Sequence, residues 1–181
     1  MSCIKTYTGV MIDPLRPENE KILIEDIAHA LSMLCRANGH FKRFYSVGRH
    51  SINCMAEAAA RGYSQKVQLA CLLHDASEAY LSDVTRPVKQ ELPGYKQIEA
   101  PLQEAIWNKY LPAPLTEEER ALVFLVDDDM LVHEFLQLMD TALTENICAL
   151  HATPEFEFTG FLTCEQEFLA CFRGLTEEID R

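Results

Sequence analysis

The stretch Ser64-Gln65-Lys66-Val67-Gln68-Leu69-Ala70-Cys71-Leu72-Leu73-His74-Asp75-Ala76-Ser77-Glu78-Ala79-Tyr80 decides the fold class and holds much of the chemistry. Ser64 is a good N-cap, and apolar residues at 67, 69, 70, 72, 73, 76 and 79 recur at helical spacing. The same spacing precedes it, through Val47, Ile52, Met55, Ala56 and Ala59 to a stop at Gly62, so the two segments predict a helical hairpin. Upstream, Ile24, Ile27, Ala28, Leu31, Leu34 and Cys35 predict a helix ending near Asn38-Gly39. Downstream, Pro87 and Pro93 punctuate a linker, and Ile98, Leu102, Ile106 and Trp107 predict a further helix to Tyr110. Thr116-Glu117-Glu118-Glu119 is a capping box opening a helical pattern of about thirty residues towards Leu150. Phe156, Phe158 and Phe161 around Gly160 read as a loop packed on the core, and Cys164 to Ile179 as a last amphipathic helix. Alternation of the β type is almost absent, so the expected class is all-α.

Composition agrees with one globular unit. The 181 residues are 48% hydrophobic and 24% charged, with seven Gly and eight Pro. A chain of this length buries roughly 70% of its unfolded surface in one core, so a metal would serve function rather than folding. The expectation is a single domain over 1–181, with a core of about 20–150 and an extension over 151–181 holding one helix. Sixteen Lys plus Arg against 28 Asp plus Glu give a net charge of −12, which disfavours duplex nucleic acid as a partner. A mononucleotide remains admissible, since one metal or a few placed cations dominate at short range. Nothing approaches eighteen consecutive apolar residues and Met1 to Val10 holds no apolar run, so no membrane association is expected and the chain reads as cytosolic. Seven cysteines without a CxxC read as reduced thiols, several of them buried.

His74 and Asp75 follow an apolar run, and adjacent ionisable groups there are costly unless compensated. A divalent cation compensates both, because neutral imidazole and carboxylate are its natural ligands and consecutive helical positions can lean towards one ion. On a continuous helix Glu78 shares their face. A His-Asp pair alone is weak, as six His and nine Asp give about 0.3 such pairs by chance, so context has to carry the reading.

That context is a resemblance. His50, then His74-Asp75, then an Asp in a late helix resembles the signature of HD-domain phosphohydrolases, all-helical metalloenzymes that cleave phosphate esters. Cys35-Arg36, Gly39-His40, Phe44-Tyr45-Ser46-Val47, His50-Ser51, Leu73 to Tyr80, Asp83, Pro87 and Lys89 are similar to the YfdR-like branch, itself similar to bacterial 5′-deoxynucleotidases. The resemblance covers roughly Ile4 to Asp140. It implies an HD-type helical bundle, one divalent ion (Mn, Co, Mg, Fe, Ni or Zn) on His50, His74, Asp75 and Asp127, and release of phosphate from (deoxy)ribonucleoside 5′-monophosphates. Glu78 would orient or deprotonate water, Asp83 would protonate the leaving oxygen or hold the sugar, and Arg36, His40 and Lys89 would contact substrate.

The chain departs from that branch where Asp127-Asp128-Asp129 replaces a Lys-x-Ala-Asp run. Aligning Met130-Leu131 and Glu134 selects Asp127 as the fourth ligand. Periodicity instead offers Asp128, the one polar member of a stripe through Phe124, Leu131, Phe135, Leu138 and Ala142. Gly48 stands where Ala is more usual, and Thr85 where Pro is. Competing functions are a regulatory HD module that binds without turnover, or hydrolysis of a triphosphate, a cyclic nucleotide or an alarmone. Charge and amphipathic helices are compatible with a homodimer.

Overall fold

The structure, a computed structural model, describes residues 3–179; Met1, Ser2, Asp180 and Arg181, at the ends of the expected domain, lie outside the described residues. Among the described residues the fold is all-α apart from a small hairpin of two-residue strands, β1 (Ile4–Lys5) antiparallel to β2 (Met11–Ile12). The hairpin is tied to α1 (Ile24–Met33) by buried Asp26, which accepts the Thr8 backbone N–H at 2.7 Å and its hydroxyl at 2.9 Å. Helix α1 stops earlier than its apolar spacing predicts. Leu34 is extended, Cys35 bridges to Ser46, and Arg36–Gly39 form a tight 3-10 turn. Ala37 and Asn38 are left-handed there, at φ 53° and 51°.

The predicted hairpin forms as α2 (Val47–Ala60) and α3 (Gln65–Leu72). The Ser46 hydroxyl accepts the Arg49 N–H at 3.0 Å, and the Ser64 hydroxyl that of Val67 at 3.4 Å. Gly48 sits where α2 crosses the end of α1 so closely that a Cβ would lie 3.1 Å from the Leu31 carbonyl carbon and the Ser32 nitrogen. Helix α3 does not continue through the His-Asp pair. It ends at Leu73, residues 73–77 form a turn, and a new short helix, α4 (Glu78–Leu81), follows. His74 and Asp75 are therefore turn residues, and the helical-face relation expected with Glu78 does not exist. The cause lies elsewhere in the chain: buried Gln103 accepts the Ser77 backbone N–H at 3.1 Å and donates to the Leu73 carbonyl at 2.8 Å, satisfying groups that a continuing helix would pair internally.

The proline-punctuated linker contains a short helix, α5 (Arg86–Glu91), before α6 (Tyr95–Tyr110), which supplies Leu102, Ile106 and Trp107 to the core. The capping box at Thr116 opens α7 (Glu117–Met139): the Glu119 N–H reaches the Thr116 hydroxyl at 3.2 Å, and the Glu119 carboxylate accepts the Thr116 N–H at 2.8 Å. It runs 23 residues and ends at Asp140, left-handed at φ 53°, rather than extending towards Leu150. Its buried face is Val123, Val126, Met130, Glu134 and Leu138, so Phe124 and Asp128 are exposed and the stripe that offered Asp128 is one residue out of phase.

Residues 141–160 cross α2 without regular structure. Buried Glu57 accepts the backbone N–H groups of His151 and Ala152 at 2.8–3.0 Å, Asn53 exchanges two hydrogen bonds with the Glu155 backbone, and Phe156 packs on Tyr45. The final helix, α8 (Phe161–Ile179), packs on α1, α2 and α3 and buries Cys164, Phe168 and Leu175. No disulfide forms among the described residues, and Cys54, Cys71 and Cys164 are buried. No helix among the described residues is long and apolar enough to cross a membrane.

Candidate metal centre

Helix α2 supplies His50, the turn after α3 supplies His74 and Asp75, and α7 supplies Asp127; the four meet beneath one cavity. His50 Nε2 lies 3.1 Å from His74 Nε2, 3.2 Å from Asp127 Oδ1 and 3.6 Å from Asp75 Oδ2. His74 Nε2 lies 3.3 Å from Asp75 Oδ2 and 3.6 Å from Asp127 Oδ1. The other ring nitrogens are already engaged: Nδ1 of His74 donates to the Cys71 carbonyl at 2.7 Å, and Nδ1 of His50 to Glu134 Oε1 at 2.5 Å. Those partners fix the tautomers, so in the neutral rings two Nε2 lone pairs face each other, an arrangement that calls for a cation or a proton between them.

Burial and Arg36 would depress the His50 imidazole, but Cys54, Glu134 and the hydrogen bond to Asp127 outweigh them and hold it well above its ordinary value. For His74, burial is likewise outweighed by Asp75 and Asp127. The carboxyls move the opposite way. Burial is overcome at Asp127 by hydrogen bonds from both imidazoles, and at Asp75 by His74 and Arg36, so both are held below the usual carboxylate range.

His50, Cys54 and His74 also form a group that could hold a metal ion, with ligand atoms within 4.8 Å of one another. The Cys54 sulfur lies 3.5 Å from His50 Nε2 and 3.8 Å from Nδ1, beside the ring rather than along either lone pair. Burial pushes its thiol up to about 11 in the metal-free protein. The two carboxylates approach the same imidazole nitrogens at 3.2–3.6 Å.

Arg36, expected at the substrate, is buried: Nε donates to Glu134 Oε2 at 3.2 Å and Nη1 to Asp75 Oδ2 at 3.1 Å. It is an internal counter-charge for the carboxylates. Glu134, fully buried, was absent from the expected site; a carboxylate in the middle of the apolar face of α7 is the sequence signal for it. The acidic run divides its partners. Asp127 faces the imidazoles, Asp128 accepts from Arg86 at 2.7 Å, and Asp129 accepts from Arg61 at 2.8 Å.

A cavity of about 340 Å³ opens over the cluster, lined by Arg36, Asp75, Glu78, Asp83, Arg86, Lys89 and Asp127, with Ala37, Phe41, Leu131, Phe135 and Leu143 among its apolar wall. Glu78 is buried, and its Oε2 has no hydrogen-bond partner. Burial, then the charges of Asp75 and Asp83, push its carboxyl well up; burial also raises Asp83. Lys89 Nζ reaches Glu99 at 2.6 Å and Glu78 at 3.7 Å. His40 is exposed and is not part of the cavity wall, although its neighbour Phe41 is.

No family model matches the chain. It is similar to the uncharacterized protein YfdR of Escherichia coli (strain K12), 38% identical over 110 residues, 61% of this chain and 59% of that protein. It is also similar to the uncharacterized protein RCAP_rcc00048 of Rhodobacter capsulatus, 37% identical over 128 residues, 65% of each chain. The chain thus spans less than two thirds of the length of the curated relatives it matches, and neither name states an activity.

Proposed function

We propose that this chain is a metal-dependent phosphohydrolase of the HD type, releasing phosphate from (deoxy)ribonucleoside 5′-monophosphates. The observation that carries the reading is that each imidazole Nε2 lies 3.1–3.6 Å from the other and from one oxygen of Asp75 and one of Asp127. Donors about 2.1 Å from one ion lie about 3.0 Å apart across a right angle and about 3.4 Å across a tetrahedral one. His50, His74, Asp75 and Asp127 fit that spacing and would hold a divalent cation. When bound, such an ion acidifies water and offsets charge on a phosphoryl group.

The remaining groups divide the proton work. Glu78, whose carboxyl burial pushes well up, is the proton donor to the departing 5′-oxygen rather than the base that the sequence suggests. Asp83, on the same wall and more exposed, orients water or accepts its proton. The apolar wall gives the nucleobase a surface without donors or acceptors.

The test is inorganic phosphate release from ribo- and deoxyribonucleoside 5′-monophosphates, with triphosphates and cyclic nucleotides alongside. It is run after chelation and re-addition of Mn, Co or Mg, against Asp75→Ala. The expected result is metal-dependent release from monophosphates that the substitution abolishes. Activity confined to other nucleotides would overturn the substrate, and silence with metal bound would make the chain a binding module.

A further inference from the structure

Resting on the phosphohydrolase reading, the cavity must contain a group that captures a phosphoryl dianion, and its wall holds three cationic side chains. Two are committed. Arg36 touches the cavity with a side chain only 10% exposed, its Nε and Nη1 given to Glu134 and Asp75 and its Nη2 4.0 Å from Asp127 Oδ1. Lys89 is clamped between Glu99 and Glu78 and lies 5.2 Å over the Tyr95 ring. Arg86, the first residue of α5, is different. Its side chain is 55% exposed, with Nη1 donating to Asp128 Oδ1 at 2.7 Å and Nη2 lying 3.4 Å from Asp127 Oδ2. The Asp128 side chain is 58% exposed, and solvent-exposed pairs of this kind are weak. Asp127 Oδ1, the other oxygen of the carboxylate that Arg86 flanks, faces both imidazoles. The guanidinium is therefore one carboxylate away from the donor cluster, on the cavity side.

We propose that Arg86 captures the phosphoryl group of the substrate, and that Asp128 holds it in a resting position until an anion displaces the carboxylate. A planar guanidinium offers two parallel N–H groups to two phosphoryl oxygens, which an exposed monoanionic carboxylate does not outbid. The acidic run then has a division of labour: Asp127 belongs to the centre, while Asp128 tunes affinity by competing for the same cation.

The experiment uses the full chain loaded with Mn, as wild type, Arg86→Gln, Arg86→Lys and Asp128→Asn. Inorganic phosphate is the probe in calorimetric titration, with metal content, KM and kcat measured in parallel. Arg86→Gln should weaken phosphate binding by about tenfold or more and raise KM with a smaller change in kcat, at unchanged metal content. Arg86→Lys should recover part of the loss, and Asp128→Asn should tighten phosphate binding by about two- to fivefold. Phosphate binding by Arg86→Gln within twofold of wild type, weaker binding by Asp128→Asn, loss of metal from Arg86→Gln, or no phosphate binding by the wild type would each overturn the proposal. Phosphate capture lost with Arg86, in a protein that hydrolyses no ester, would retain the anion site and refute the enzyme. Hydrolysis indifferent to Arg86 would do the reverse.

Discussion

Exchanging Glu134 for Gln keeps the shape of the side chain and removes the charge that joins α7 to the centre. The carboxylate is fully buried and accepts from His50 Nδ1 at 2.5 Å and Arg36 Nε at 3.2 Å. Each hydrogen bond to a charged group contributes about 1.5–3 kcal/mol, and breaking a buried ion pair costs about 3–5 kcal/mol. The amide retains one acceptor, and Arg36 keeps Asp75 at 3.1 Å, so the net expectation is a loss of about 2–4 kcal/mol. At about 2–4 °C per kcal/mol for a chain this long, the Tm of the chelated protein should fall by roughly 4–16 °C. The His50 ring also loses its charged orienting partner, so metal affinity, read by competition with a chromophoric chelator, should drop about 10- to 100-fold. Burial raises the Glu134 carboxyl, but Arg36 and His50 outweigh it and hold it below its usual value. Its stabilisation is therefore present above the unfolded carboxylate value, about 4.3, and lost as pH falls through the depressed folded value. The variant should show a flatter acid limb of Tm against pH. A variant within about 0.5 kcal/mol of wild type that binds metal equally well would refute the idea that this carboxylate organises the site.

Three further outcomes follow from the same geometry. Asp127→Ala should lose the metal and Cys54→Ala should keep it, by elemental analysis after dialysis; the opposite pattern would give the site to the thiol. Because both imidazoles are raised in the metal-free protein, their stabilisation is full below about pH 6.5 and is lost as pH rises through the folded values. The chelated protein should thus lose Tm above neutrality while the increase in Tm on adding metal grows, and a metal-induced increase independent of pH would contradict this. Gly48→Ala gains about 1 kcal/mol of helix propensity but sets a Cβ 3.1 Å from backbone that cannot rotate away and 3.2 Å from the Cys164 sulfur. Overpacking costs about 1–3 kcal/mol, so urea unfolding should show a net loss near 1 kcal/mol, and a stabilised variant would argue against the close crossing.

What the sequence disclosed was local. The caps at Ser64 and Thr116 and the apolar spacing of α2 and α7 are properties of neighbouring residues, and they predict these helices to within a turn at their starts. The break after Leu73 was not legible, because Leu72 to Ala79 contains no Gly or Pro to stop a helix, and His74, Asp75 and Ser77 disfavour one only weakly. The groups that end it belong to Gln103, some thirty positions away. Asp128 was offered by a stripe that used Phe124 as an apolar marker, yet Phe124 is 57% exposed. An apolar residue on the outside shifts the inferred stripe by one residue, about 100° around the helix. For Glu134 the sequence shows only a carboxylate on an apolar face; the charges that let it be buried, Arg36 and His50, approach only once the chain has folded.

The pairing of the first long helix with the last has a consequence for how the protein is made. His29 on α1 meets Glu165 on α8 at 2.9 Å across 136 positions, and Phe168 is completely buried in the core that α1, α2 and α3 begin. Small helical proteins fold quickly because their contacts are local, and these contacts are not. At about 5–20 residues per second of synthesis, a ribosome-bound chain waits several seconds between finishing α3 and delivering α8. Through that interval an apolar trough on the nascent chain stays open, which makes slow, chaperone-rich expression the condition under which this protein should be recovered intact.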